Sequence, residues 1–254
     1  MSSESPLAPH SPAQAWNQRY ESTASLWSRS PNAALVRFAS ALVPGRALDL
    51  GAGEGRNSVW LATRGWQVTA LDVSDVALAR AAERAAAEGV PLGCVVADWR
   101  EHELAPASLE LVVVSFMHPD RHERPSMFER AARALVPGGH VFVTGVHEVD
   151  HGRRGPPDRD RLHTPERLRE ALQGFFEVLR CETVCYERER AGAREVVTDV
   201  VAIARRPAAG RSAPARVDQH QRVPTQRSPS SSASRGASVT PASRSNQPFF
   251  RRLA

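Results

Sequence analysis

Residues 48–72 read LDLGAGEGRNSVWLATRGWQVTALD. An apolar run, Ala47–Leu50, enters the turn Gly51-Ala52-Gly53-Glu54-Gly55, and a helical stretch, Ser58–Arg64, follows until Gly65 ends it. A second apolar run, Trp66–Leu71, leads into Asp72, 17 residues beyond Gly55. Glycines let the backbone turn tightly and approach a ligand with no side chain between, and a helix start presents free N–H groups. A carboxylate at the end of the next strand can accept hydrogen bonds from both hydroxyls of a ribose. The pattern predicts a nucleoside-cofactor site at the carboxyl edge of a parallel sheet.

The glycine spacing separates two cofactor classes. A dinucleotide fingerprint is G-x-G-x-x-G, with a pyrophosphate resting on the helix N-terminus. Here the spacing is G-x-G-x-G, preceded by Asp49 and containing Glu54. Two carboxylates beside the loop repel a pyrophosphate and suit a cation. S-adenosylmethionine carries a sulfonium and an ammonium, so charge favours it over a nicotinamide dinucleotide. A nicotinamide-dependent oxidoreductase stays as the alternative that the fold alone allows.

Outward from this stretch the chain keeps a strand–helix beat. Val76–Glu88 is an Ala-rich helix closed by Gly89, Leu92–Ala97 a third strand, and Leu109–Phe116 a fourth, apolar nearly throughout as a strand covered on both faces should be. Phe128–Leu135 reads as a helix stopped by Pro137-Gly138-Gly139, and His140–Val146 as a fifth strand. The following DHGRRGPPDRDRLHTP reads as a long polar loop, and Thr164 as the N-cap of a further helix. Phe176–Tyr186 and Glu195–Ala204 form a terminal hairpin joined by the charged turn ERERAGAR. The expected fold is α/β, a doubly wound Rossmann-like seven-stranded sheet, mostly parallel with an antiparallel C-terminal hairpin. Before it, Pro31-Asn32 opens a helix that ends ahead of Pro44-Gly45.

Charge is unevenly divided along the 254 residues. The net charge is +5, and all 33 basic residues are Arg. Residues 1–206 hold 25 Arg against 27 acidic residues, while residues 207–254 hold 8 Arg and only Asp218. The expected domains are therefore a disordered start, 1–15; a folded, slightly acidic domain, 16–206, with a helical lid over 16–45; and a disordered Ser/Pro/Arg-rich tail, 207–254. No apolar run suggests a membrane span, and the N-terminus lacks the pattern of a secretory signal. Cys94, Cys181 and Cys185 are too few for a disulfide framework. A cytoplasmic monomer without membrane partners is the expectation.

LDLGAGEGRNSVWLA, then VTALD, VVADWRE, LVVVSF and ALVPGGHVFV, in that order, resemble the class I S-adenosylmethionine-dependent methyltransferases across residues 16–206. GRNS after the glycine loop and the early WNQRY…W…PN pattern are similar to the tellurite-resistance and thiopurine-type small-molecule methyltransferases. The resemblance implies S-adenosyl-L-methionine as cofactor. It implies that Asp49 and the loop Gly51, Ala52, Gly53, Gly55 hold its methionine part. Asp72 takes the ribose, and Val73 lies beside the adenine. Asp98 meets the adenine amino group and Trp99 packs on its ring, while Ser115 and Phe116 line the floor near the sulfonium. Trp16, Tyr20 and Trp27 belong to a lid over the cofactor, although a spacing of four then seven equally suits a helix packed on the sheet.

With no lysine, any general base must be His, Tyr or a carboxylate. His118 and His147, after the fourth and fifth strands, are the candidates; the competing reading is solvated loop histidines. His122 and His151 follow each by four, a spacing that binds metal on a helix, but they lie in predicted loops without an acidic motif, so no metal is expected. The fourth strand ends SFMHPD, without the Pro-Pro-aromatic or Pro-Cys signatures of base methylation, so a nucleic-acid substrate is not expected. A binding module using its Arg-rich tail on acidic partners is the non-enzymatic alternative.

Overall fold

In the computed structural model, which describes residues 11–190 and 192–208, seven strands form one sheet in the order β3-β2-β1-β4-β5-β7-β6. β1 (Arg46–Leu50) pairs in parallel with β2 (Gln67–Asp72) on one side and with β4 (Leu109–Ser115) on the other. β2 continues to β3 (Gly93–Val96), and β4 to β5 (Leu135–Val146), also in parallel. Strand order reverses between β1 and β4. That is where an open α/β sheet leaves a crevice at its carboxyl ends.

The side chains sort by strand parity onto two faces. Leu48, Leu50, Val112, Val114, Val141 and Val143 face α5 (Arg124–Ala134) and α6 (Pro165–Leu172), burying Phe128, Leu168 and Phe176. Ala47, Leu111, Val113 and Phe142 face the other way, against Leu35 of α2 (Ala33–Ala39) and Leu61 of α3 (Arg56–Thr63). Each fully buried Leu or Phe stabilises the fold by about 1.5–3 kcal/mol. α4 (Asp75–Ala87) is capped by Ser74, whose Oγ accepts from Ala77 N–H, and α6 by Thr164, which accepts from Arg167 N–H.

Several expectations shift. A helix, α1 (Pro12–Glu21), begins inside the stretch expected to lack structure, closed by a Ser11/Gln14 capping box. α2 starts at Ala33, capped by Asn32 rather than opened by Pro31, and it belongs to the core rather than to a lid. α5 starts four residues earlier than expected, with Pro125 in its first turn. Pro137-Gly138-Gly139 does not break the chain: β5 runs through it, with a register shift against β4 between Leu109 and Leu111.

The terminal hairpin, β6 (Glu177–Arg190) and β7 (Ala193–Arg205), is longer than the apolar pattern shows, because ERER and AR also pair. β7 inserts antiparallel between β5 and β6. The polar loop after β5 is not a solvated excursion. It forms short 3-10 turns, Glu148–Asp150 and Arg159–Arg161, and buries Asp150, Leu162 and His163. Residues 1–10 and 209–254, which include two thirds of the expected N-terminal disorder and nearly all of the basic tail, lie outside the described residues. Among the described residues, no helix is long and apolar enough to cross a membrane.

Candidate cofactor and acceptor site

The glycine loop is held against the end of β2 by backbone and by one carboxylate. Gly51 and Ala52 donate to Leu71 O at 2.8 and 3.1 Å. Gly53 N donates to Asp72 Oδ2 at 2.8 Å, and Ser74 N to Asp72 Oδ1 at 2.9 Å. Gly51, Gly53 and Gly55 have φ of 71°, 54° and 72°, the left-handed region where a side chain is strained. Asp72 therefore sets the loop, and each of its oxygens keeps a lone pair for a hydroxyl. Burial raises its pKa above the usual carboxylate range.

Asp49 is 1% exposed. Its Oδ2 accepts from Ser58 Oγ at 2.6 Å, and its Oδ1 is buried without a partner. Burial pushes its pKa up to about 6, against the opposing effect of Ser58. An orphaned carboxylate oxygen beside the glycine loop fits a cationic ligand, because an ammonium both pairs the charge and donates the missing hydrogen bond. S-adenosylmethionine fits this set: Asp49 toward its ammonium, Asp72 toward its ribose, and the glycine backbone between them.

Glu54, the second carboxylate in the charge argument, has a different role. It accepts from Leu26 N at 3.1 Å, Trp27 N at 3.2 Å and Arg80 Nη1 at 3.0 Å. Arg80 also donates to Tyr20 O, and Arg84 bridges Glu54 O and Arg29 O. Trp27 Nε1 donates to Tyr20 Oη at 3.2 Å, and that hydroxyl sits where a Cβ on Gly53 would approach to 2.8 Å. Asn17 joins Ser74 and Asp75. The aromatic trio is brought together: Trp16 packs on Tyr20, and Tyr20 and Trp27 cover the glycine loop. Glu54 is thus the fastening of this cover, with its charge spent on Arg80.

Asp98, expected to meet an adenine amino group, is tied to Arg100, whose N–H donates to Oδ1 at 2.9 Å and whose Nη1 donates to Oδ2 at 2.8 Å. Arg100 also pairs with Glu123 and lies 5.3 Å above the Trp99 ring. Trp99 packs against the main core, and Val73 is half-buried beside the end of β2. Ser115 ends β4 with its hydroxyl buried and unpartnered, and Phe116 follows at φ 57°.

His118 is not solvated, whereas His147 is half-buried. His118 Nδ1 lies 3.2 Å from Arg161 O, so it carries the proton; Nε2 then accepts from Val146 N at 3.4 Å. Its ring stacks on His163 at 4.9 Å, and burial pushes its pKa down to about 4. His147 Nδ1 accepts from Val149 N–H and caps a 3-10 turn. His118 has both nitrogens occupied by backbone, which leaves no lone pair for proton abstraction. Sequence reading did not single out Arg56, whose guanidinium lies 5.3 Å over the Phe116 ring, or the exposed Tyr186, whose hydroxyl donates to the buried Asp199 at 2.7 Å. Position directly after the glycine loop was the available signal for Arg56.

Residues 47–139 match the family described as "Methyltransferase domain". The chain is 31% identical over 113 residues to ribosomal RNA small subunit methyltransferase C of Alcanivorax borkumensis, a match spanning 42% of this chain and 34% of that protein. Among solved structures, one titled for conversion of a disulfide bond into a thioacetal group during echinomycin biosynthesis superposes with a TM-score of 0.65 at 20% identity, covering 77% of this chain and 91% of that one. TehB from Haemophilus influenzae superposes at 0.55, also 20% identical, over 76% and 66%. The N-methyltransferase NodS from Bradyrhizobium japonicum, solved with S-adenosyl-L-homocysteine, superposes at 0.53 and 19%, over 68% and 83%. The fold is that of the class I methyltransferases. The methyltransferase-domain match covers residues 47–139, under half of the chain, and the chain spans about a third of the length of the curated relative it matches.

Proposed function

We propose that the protein transfers the methyl group of S-adenosylmethionine to a small-molecule acceptor, with a soft sulfur, selenium or tellurium nucleophile as the preferred class. The single observation that carries the cofactor half is the unpartnered, buried Asp49 Oδ1 beside a glycine loop pinned by Asp72. When bound, the cofactor supplies a methyl carbon already activated by its sulfonium. What remains for the chain is alignment and exclusion of water, and the Tyr20–Trp27 cover over Gly53 serves the second.

The acceptor half rests on what the site does not offer. Hydroxyl and amine acceptors need a base within hydrogen-bond reach. The sequence holds no lysine, His118 is locked to backbone and His147 caps a turn, so neither candidate histidine is placed as that base. A thiolate or a selenium or tellurium anion needs little such help. The slightly acidic balance of residues 1–206 supports a small molecule over a polyanion. The structural likeness to the protein described by conversion of a disulfide bond into a thioacetal group is consistent with a sulfur acceptor.

Calorimetry with S-adenosylhomocysteine, followed by a methylation screen of thiols, selenite, tellurite, phenols and small-subunit ribosomal RNA, tests both halves. Binding and turnover of a soft nucleophile are expected. Binding of a nicotinamide dinucleotide in place of S-adenosylhomocysteine overturns the first half. Turnover of the RNA alone overturns the second.

A further inference from the structure

Arg56 is the first residue of α3, directly after the left-handed Gly55. Its half-buried guanidinium lies over the Phe116 ring, 5.3 Å from the centroid. Among the described residues it has no hydrogen bond and no ion pair. Three nearby arginines find acceptors: Arg80 on Glu54 and Tyr20 O, Arg84 on Glu54 O and Arg29 O, Arg154 on Asp150 and Asp199.

The groups facing Arg56 do not satisfy it. Asp49 spends one oxygen on Ser58. Asp199 is bound by Arg154 at 2.7 Å and by the Tyr186 hydroxyl at 2.7 Å. Arg84 adds a like charge from α4. A guanidinium held over a ring and without a hydrogen-bond partner keeps its N–H groups free, and that fork can take a carboxylate or oxyanion two-handed. The ring beneath is held there at the cost of a left-handed φ of 57° at Phe116, strain of about 1–3 kcal/mol for a bulky residue. Beside it, the Ser115 hydroxyl is buried without a partner at the end of β4.

We propose that Arg56, seated on Phe116, is the residue that recognises an anionic group on the methyl acceptor, so that the acceptor class is a small acid whose carboxylate or oxyanion pairs with this guanidinium. The inference rests on the methyltransferase reading above and narrows its acceptor. The site lies where β1, β4 and α3 meet, at the carboxyl edge that also carries Asp49 and Ser115, so an anion bound there stands beside the methyl-transfer region.

The test compares matched thiols, thioglycolate with 2-mercaptoethanol and 4-mercaptobenzoate with thiophenol, in wild type, R56Q and R56K, scored by release of S-adenosylhomocysteine. Calorimetry of S-adenosylhomocysteine and of methylthioadenosine, which lacks the amino-acid carboxylate, accompanies it. Wild type is expected to favour the acid of each pair by about tenfold or more in kcat/KM, the scale of a charge-assisted pair of hydrogen bonds. R56Q abolishes that preference with cofactor affinity and melting temperature unchanged, and R56K restores part of it. A wild type that binds S-adenosylhomocysteine but shows no preference, or turns over neither acid, overturns the inference. So does an R56Q variant that loses affinity for S-adenosylhomocysteine and keeps it for methylthioadenosine, since the anion is then the cofactor's own. Absence of S-adenosylhomocysteine binding to wild type overturns the underlying reading instead.

Discussion

Ser58 donates a 2.6 Å hydrogen bond to Asp49 Oδ2, while Asp49 Oδ1 lies buried with no partner among the described residues. One half of this carboxylate is fixed by α3 and the other half is left for a ligand. A buried acceptor without a donor costs about 1–3 kcal/mol, a cost that a cation placed beside Asp49 would relieve.

The first prediction follows from the Asp49 pKa of about 6 in the free protein. An ammonium beside it favours the ionised form, so below pH 6 binding must displace a proton. Affinity for S-adenosylhomocysteine is expected to be flat above pH 7 and to fall by up to about tenfold per pH unit below 6. Calorimetry in two buffers of different ionisation enthalpy should report proton release at pH 5 and none at pH 8. D49N should weaken binding by about 1–3 kcal/mol and flatten the profile.

Glu54 fastens the N-terminal cover. E54A removes the acceptor for Leu26 and Trp27 N–H and leaves Arg80, 25% exposed against 7% for Glu54, without its ion pair. The expected loss is about 1–3 kcal/mol of stability, with faster protease cleavage between residues 22 and 31. Limited proteolysis with mass spectrometry checks it. A cleavage rate equal to wild type would remove Glu54 from this role.

Acid should weaken the fold through the stacked histidines. Burial holds His118 down to about 4 and His163 well below the ordinary histidine value. An unfolded chain takes up these protons near pH 6.5 and the folded one does not, so the stability is complete above pH 6.5 and is lost as pH falls toward 4. His118 alone accounts for about 3 kcal/mol of that loss. Asp49, raised by burial, works in the opposite sense between about pH 4 and 6 and offsets part of it. Urea unfolding at pH 7 and pH 5 measures the difference, and H118N should shrink it.

Two glycines with nearly equal φ separate strain from contact. Gly55 at 72° would place a Cβ 2.6 Å from Ala81 Cβ, whereas Gly89 at 66° has nothing within 4 Å. G89A should cost about 1–2 kcal/mol, the left-handed penalty alone. G55A adds overpacking between α3 and α4, about 1–3 kcal/mol more, and displaces the loop that holds the cofactor. Thermal melts of the two variants, with S-adenosylhomocysteine binding for each, give the comparison.

Much of this was legible in local pattern. Alternating apolar runs marked β1, β2, β4 and β5, because the burial of a strand is written in its own residues. The glycine loop and Asp72 were legible because backbone angle and strand-end position are local properties. The order of the hairpin was not. β6 and β7 read as neighbours, but β7 lies next to β5 through pairs such as Phe142 with Ile203, a choice made by contacts far apart in sequence.

Polar roles divide in the same way. The sequence alone determined a parallel α/β sheet, a glycine turn at its switch point and a carboxylate at the end of the next strand, each a matter of periodicity or spacing. Only the tertiary structure decided that Glu54 holds Arg80 and the cover, that Asp98 pairs with Arg100, that His118 is locked against His163, and that Arg56 lies over Phe116 with no acceptor among the described residues. A charged side chain's function depends on which group faces it and how much water remains between them. Those quantities arise only when distant segments pack together.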